Sequence, residues 1–379
     1  MPAGRGGGHG QGPRGGNLSG RARLGTFEAI LDASGVAEAL QAAMPSGGRP
    51  RQLPARTVLL GLALALDDHR PAHLASALRA LRSLPVADQL RLQVMTPGEG
   101  GPHTATYRQY SHAHQAMIAS IDPSPVPSFK GVAEEERAAH LQGAREGVDA
   151  EAARAALNRA IDALIEASVP EAYRYASSAL AVDWTDHETW ARPRDKDDPQ
   201  PANDPDASWG HAKRNAPGAK DCLFFGYYAQ VATMVKDDAG PPVPELIRRI
   251  ALEAPRTDPA KVMAETLVRS AGAGMALGDV LADCGYSNRE PGTFASPLRG
   301  AGAALVMDLH PNDRGPRGTF EGAILANGNL YCPATPEALL SLGQIHRGAT
   351  HEEIANHDAR CAEAARYKLG PIAAPDAEG

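Results

Sequence analysis

Two short apolar runs that each end in an aspartate limit what this chain can fold into more than any other feature. They are Ala179-Leu-Ala-Val-Asp183, which continues into Trp184-Thr-Asp186, and Val280-Leu-Ala-Asp283. A run of this length and composition is a buried strand, and a strand of an α/β sheet carries its chemistry at its exposed carboxyl end. If the two strands are parallel neighbours, the Asp183 and Asp283 carboxylates lie on the order of 4 to 7 Å apart, since adjacent strands are separated by about 4.8 Å. Magnesium takes hard oxygen ligands, with only one or two protein carboxylates and the other positions left to water and phosphate. The pair therefore has the chemistry of a Mg2+ (or Mn2+) site for phosphoryl transfer, with structural strand capping as the alternative.

The flanking pattern predicts helices first. Residues 24–44 have apolar positions at Phe27, Ile30, Leu31, Val36 and Leu40, and 54–66, 71–84 and 104–121 continue as helices. The proline-rich stretch 122–129 and the charged segment after it read as a linker. A helix over 151–169 opens the second part, with Ala153, Leu157, Ile161, Leu164 and Ile165 on one face. Then come a strand over 178–184, one or two strands over 222–235, a helix over 258–270, the strand ending at Asp283, and a strand over 304–309. A hairpin over 323–332 turns at Asn327-Gly328, and 192–215 reads as an exposed loop. The expected organisation is a Gly/Arg-rich disordered tail (1–23), a helical domain (24–121), a linker (122–150) and an α/β core (151–379).

The net charge of −7 opposes broad phosphate contact, but its distribution is uneven. Up to Arg56, seven arginines (5, 14, 21, 23, 49, 51 and 56) face only Glu28, Asp32 and Glu38. Cys222, Cys284, Cys332 and Cys361 form no C-x-x-C pair, which argues against a zinc ribbon or a disulfide framework and for a reducing cytoplasm. The longest apolar run, Val58 to Leu66, is too short to cross a bilayer, so no membrane association is expected. Ala271 to Gly278 lacks the spacing of a dinucleotide loop and reads as a turn. His69 and His73 stand at i, i+4 without a third ligand nearby and fit a solvated helix start better than a metal site.

Three segments carry a resemblance. Val280-Leu-Ala-Asp-Cys-Gly-Tyr-Ser-Asn288, Met307-Asp-Leu-His-Pro-Asn-Asp-Arg-Gly-Pro-Arg-Gly-Thr319 and Gly322-Ala-Ile-Leu-Ala-Asn-Gly-Asn-Leu-Tyr-Cys-Pro-Ala-Thr335 together resemble actinobacterial insertion-sequence transposases of the DDE type. The resemblance runs from about Leu24 to the end, with Asp183 at the family's first acidic position and Asp283 at its second. It implies an α/β core with a ribonuclease H-like mixed sheet flanked by helices, in which the first strand and the one after the helix become neighbours. It also implies two-metal DNA strand cleavage and transfer, with Asp183 shared between the ions.

The family's third acid, a glutamate on a later helix, has no obvious counterpart before Gly379. The chain is accordingly expected to be a truncated copy, inactive alone and prone to self-association through an exposed apolar face. Glu321, Glu337, Glu352, Glu353 and Glu363 are the candidate substitutes among the acids that remain, with Glu352, Glu353 and Glu363 in the most helix-like context. The implied partner is double-stranded DNA at the element ends, in a bacterial, nucleoid-associated setting. Candidate phosphate contacts are Arg108, in the Thr106-Tyr-Arg-Gln109 segment, together with Lys213, Arg214, Arg289, Arg314 and Arg317. A non-catalytic DNA-binding or oligomerising remnant is the alternative.

Overall fold

The computed structural model describes residues 20–45, 53–194, 202–212, 222–287, 289–309, 314–343, 345 and 348–370. It is a mixed α/β chain whose contacts divide it into two compact units. The first comprises the chain up to Arg174 together with Glu188–Tyr227, and the second comprises Tyr175–His187 and the chain from Tyr228 on.

In the first unit, helices α1 (Gly20–Ser34), α2 (Val36–Ala43), α3 (Ala55–Asp67), α4 (Leu74–Arg82) and α5 (Val86–Arg91) precede a two-residue antiparallel pair, β1 (Met95–Thr96) and β2 (His103–Thr104). Helices α6 (Tyr107–Ala119), α7 (Arg137–Arg145) and α8 (Ala150–Ser168) follow. The single helix expected over 24–44 is broken at Gly35, whose φ of 64° is a left-handed conformation that a β-carbon would disfavour. Leu24, Leu31, Val58, Leu60, Leu81 and Tyr110 are buried in one core, and the Tyr110 hydroxyl donates to the Val58 carbonyl at 2.8 Å. The expected linker contains α7. The helix expected to open the α/β core, α8, instead sets Ala160, Ala163 and Leu164 against this helical core, because its apolar stripe needs a covered face and α1 supplies one.

In the second unit five strands form a sheet in the order β6-β5-β3-β7-β8. They are β3 (Leu180–Glu188), β5 (Cys222–Met234), β6 (Ile247–Glu253), β7 (Asp279–Ala282) and β8 (Ala304–Met307), and β5 begins in the first unit, where it pairs with β4 (Ser208–Ala212). Strand β4 lies within the segment expected to be an irregular loop. β5 and β6 are antiparallel, while β3 to β7 and β7 to β8 are parallel. Hydrogen bonds from Val235 N to Ala179 O and from Thr189 N to Phe225 O make β3 and β5 antiparallel as well.

Helix α9 (Pro259–Gly272) links β6 to β7, with Asp258 as N-cap accepting from Ala260 N and Pro259 in the first turn, where a missing N–H costs nothing. It buries Met263, Ala264 and Leu267 against Leu180, Val182, Ala232, Met234 and Val280 of the sheet. Short helices α10 (Cys284–Ser287) and α11 (Ala295–Gly300) lie between β7 and β8 in sequence. A separate antiparallel sheet, β11-β10-β9, is built from β9 (Pro316–Phe320), β10 (Ala323–Ala326) and β11 (Asn329–Tyr331). The turn falls at Asn327-Gly328 as expected, with φ of 49° and 70°, the positive values a two-residue hairpin demands. Helices α12 (Glu337–Leu340) and α13 (His351–Ala365) cover it through Leu339, Leu340 and Ala364. Among the described residues, no helix is long and apolar enough to cross a membrane.

Candidate functional site

The register of the parallel strands brings the two sequence-predicted aspartates together. Leu180, Ala181 and Val182 pair with Val280, Leu281 and Ala282, and Asp183 and Asp283 are the residues that follow the last pair. Side chains alternate along a strand, so Asp183 leaves β3 on the face opposite Val182, which α9 covers; Asp283 follows the last residue of β7, and both aspartates are exposed. The strand expected over 178–184 runs on to Glu188, so Asp183 lies inside it rather than near its end. The parallel pairing stops at Val182 with Ala282, because β7 gives way to α10. Beyond that step Thr185 and His187 share the Asp183 face, and Trp184 and Asp186 share the other.

Each carboxylate commits one oxygen to a backbone N–H close by in the chain. Asp183 Oδ1 accepts from Trp184 N at 2.7 Å, and Asp283 Oδ1 accepts from Gly285 N at 2.9 Å. The second oxygens have no protein partner among the described residues and remain available to a cation. Gly285 also has a packing reason. A β-carbon there would come within 2.6 Å of the Trp184 ring, so the Asp283-x-Gly-Tyr motif combines a carboxylate, a close approach and a buried phenol. Tyr286 is 1% exposed, its ring stacks edge-on against Trp184 at 4.6 Å, and its hydroxyl has no hydrogen-bond partner among the described residues. Burial pushes that phenol well above its ordinary range, and the negative charges of Asp183 and Asp283 push it the same way, with Arg289 opposing.

Sequence reasoning missed Asp308. It follows β8 as Asp283 follows β7, and its N–H donates to Ala282 O at 3.2 Å, so the register sets it one strand beyond Asp283. The signal was available: Ala304-Leu-Val-Met-Asp308 is a third apolar run ending in aspartate. The row is still not a three-ligand centre. Among the described residues no group of three or more His, Cys, Asp or Glu side chains could hold one ion. Glu352, Glu353 and Glu363 lie on α13, where Glu353 accepts from Thr350 N and Oγ1 in a capping box. The donor set of Asp183 and Asp283 nonetheless fits one Mg2+ or Mn2+, because both ligands are hard, exposed oxygens with a free position each.

The candidate DNA contacts are scattered. Arg108 is exposed on α6, but the Thr106-Tyr-Arg-Gln109 segment around it is a capping box, with Thr106 Oγ1 accepting from Gln109 N and Gln109 Oε1 from Thr106 N. Arg289 is tied to Gly285 O at 3.1 Å and to Asp258 at 3.5 Å. Arg314 donates twice to Leu309 O, and Arg317 is exposed on β9. Lys213 and Arg214 lie outside the described residues, as does most of the Gly/Arg-rich tail. Comparison of the chain with family models, curated proteins and solved structures gives no match.

Proposed function

We propose that the chain is a DDE-type transposase subunit with a ribonuclease H-like sheet, in which Asp183 and Asp283 bind a divalent cation beside DNA phosphate. The observation that carries this reading is the return of the chain through α9 to set β7 parallel and adjacent to β3, which aligns the two aspartates. The antiparallel run β3, β5, β6 before that crossover supports the same sheet type. Mg2+ or Mn2+ held there supplies activation of an attacking water or 3′-hydroxyl and charge neutralisation at the phosphate.

The chain's own residues then have separate tasks. Asp183 and Asp283 present the hard oxygens, the Gly285 amide fixes the Asp283 rotamer, and Trp184 and Tyr286 exclude water beneath the pair. Arg289, whose charge opposes that of the two aspartates at the Tyr286 phenol, is a candidate contact for DNA phosphate. Two carboxylates supply fewer hard ligands than a two-ion strand transfer needs, which favours a chain that binds an ion weakly and does not cut DNA on its own.

The test is binding of duplex DNA by the full chain over a range of salt, followed by a cleavage assay in Mn2+. Expected are a modest affinity that falls steeply with salt, as released counterions require, and no strand cleavage. A folded sample that shifts no DNA at low salt would contradict the proposal. Cleavage that disappears in Asp183→Asn would overturn the inactive reading and send the search for a third ligand to Glu352, Glu353 and Glu363.

A further inference from the structure

The hairpin of β4 and β5 in the first unit carries a row of side chains that the proposed cation site does not use. Its register sets Trp209 opposite Phe225 and His211 opposite Leu223, so these four side chains share one face. Trp209 is 54% exposed. Phe225 meets its ring edge-on, with centroids 5.7 Å apart and planes at 63°, and can cover only one of the two indole faces. The indole is thus held by its neighbour and still open for stacking.

A cavity of about 440 Å3 lies beside that ring, lined by Arg145 at the end of α7, by Arg194 and Asp204, and by Trp209 and Phe225. Its size falls within the roughly 300–1,000 Å3 of small-ligand pockets. Asp204 is already engaged: Oδ2 accepts from Thr189 Oγ1 at 2.7 Å and Oδ1 from the Tyr227 hydroxyl. Arg145 has donors to spare. Among the described residues its guanidinium bonds only through Nε, to Pro125 O at 3.4 Å, so both terminal nitrogens can meet an anion. Guanidinium groups beside an open aromatic face match a nucleotide, which is anionic at its phosphate and flat at its base. In a duplex the bases are stacked on one another, so the strand that fits is unpaired.

We propose that this face binds an unpaired DNA strand, with one base stacked on Trp209 and its phosphate held by Arg145 and Arg194. That the strand is DNA rests on the proposed function, since stacking and phosphate contact serve either nucleic acid.

The experiment follows the fluorescence anisotropy of a labelled thymidine oligonucleotide as the full chain is added. A length of about ten nucleotides lies within the roughly 4–16 that such surfaces engage. Trp209→Ala should weaken binding by about tenfold or more, and Trp209→Phe, which keeps a ring, should stay within about threefold of the parent. Arg145→Gln should weaken it too and should lower the slope of log affinity against log salt by about 0.7, the share of one phosphate on a single strand. Duplex affinity should be the same in Trp209→Ala as in the parent. A chain that shifts duplex DNA but binds no oligonucleotide would overturn this site and leave the proposed function standing. Equal oligonucleotide affinity in the parent and Trp209→Ala, or an unchanged salt slope in Arg145→Gln, would also overturn it, and tighter binding of a uridine oligonucleotide would overturn the choice of DNA.

Discussion

Tyr286 and Tyr110 are both buried phenols, yet they stand in opposite hydrogen-bonding situations. The Tyr110 hydroxyl donates to Val58 O, whereas the Tyr286 hydroxyl has no partner among the described residues. Removing a hydroxyl that makes a buried bond costs about 1 kcal/mol, while removing one that makes none is neutral or favourable. Tyr110→Phe should therefore lower unfolding stability by about 1 kcal/mol, and Tyr286→Phe should leave it unchanged or raise it. Denaturant midpoints for the two variants check this. A loss in Tyr286→Phe as large as in Tyr110→Phe would mean that the phenol has a partner, such as a water bridging to the aspartates.

Among the elements, those whose signal is local were legible in the sequence. Helix α9 with its Asp258 cap and Pro259, the hairpin at Asn327-Gly328, the strand expected to end at Asp283 and the strand expected over 304–309, which the structure ends at Ala282 and Met307, all follow from nearby residues. What the sequence left hidden depends on partners distant in the chain. Strand β6 carries Arg248 and Arg249 within its apolar run, and both are buried only because the fold covers them, Arg249 bonding to Ser270 of α9. Helix α8 was legible as a helix, but of its expected face only Leu164 packs on the helical core, beside Ala160 and Ala163, and the core it joins was not legible. Distant partners also set the energetics of α1, where Glu28 accepts from Arg56 of α3 at 2.8 Å and from Arg91 of α5 at 2.5 Å. Burial, the largest single influence on Glu28, raises its pKa, but the hydrogen bonds from Arg91 and Arg56 together outweigh it and leave it lowered. A lowered carboxylate adds stability above its unfolded pKa of about 4.3 and loses it as pH falls through the folded value. Glu28→Gln should destabilise the first unit by about 1–3 kcal/mol at neutral pH, with the difference from the parent shrinking in acid. A gap that stays constant down to pH about 3 would contradict this account of α1.

For the whole molecule, the proposed function rests on a mixed sheet that brings Asp183 and Asp283 to neighbouring strands, where they would hold a divalent cation weakly. The aligned pair was legible because each strand is short, apolar and marked by its aspartate; Asp308 was passed over although it obeys the same pattern. The scattered arginines were not legible as an interface, since Arg289 and Arg314 are tied to carbonyls of their own neighbourhood and an arginine in a turn reads the same either way. The most direct measurement is a titration of Mn2+ into the full chain, followed by electron paramagnetic resonance of the free ion, for the parent and for Asp183→Asn and Asp283→Asn. Each substitution removes one of two hard ligands, so either should weaken binding by about tenfold or more without altering the unfolding midpoint. Equal Mn2+ affinity in the parent and in both variants would contradict the claim.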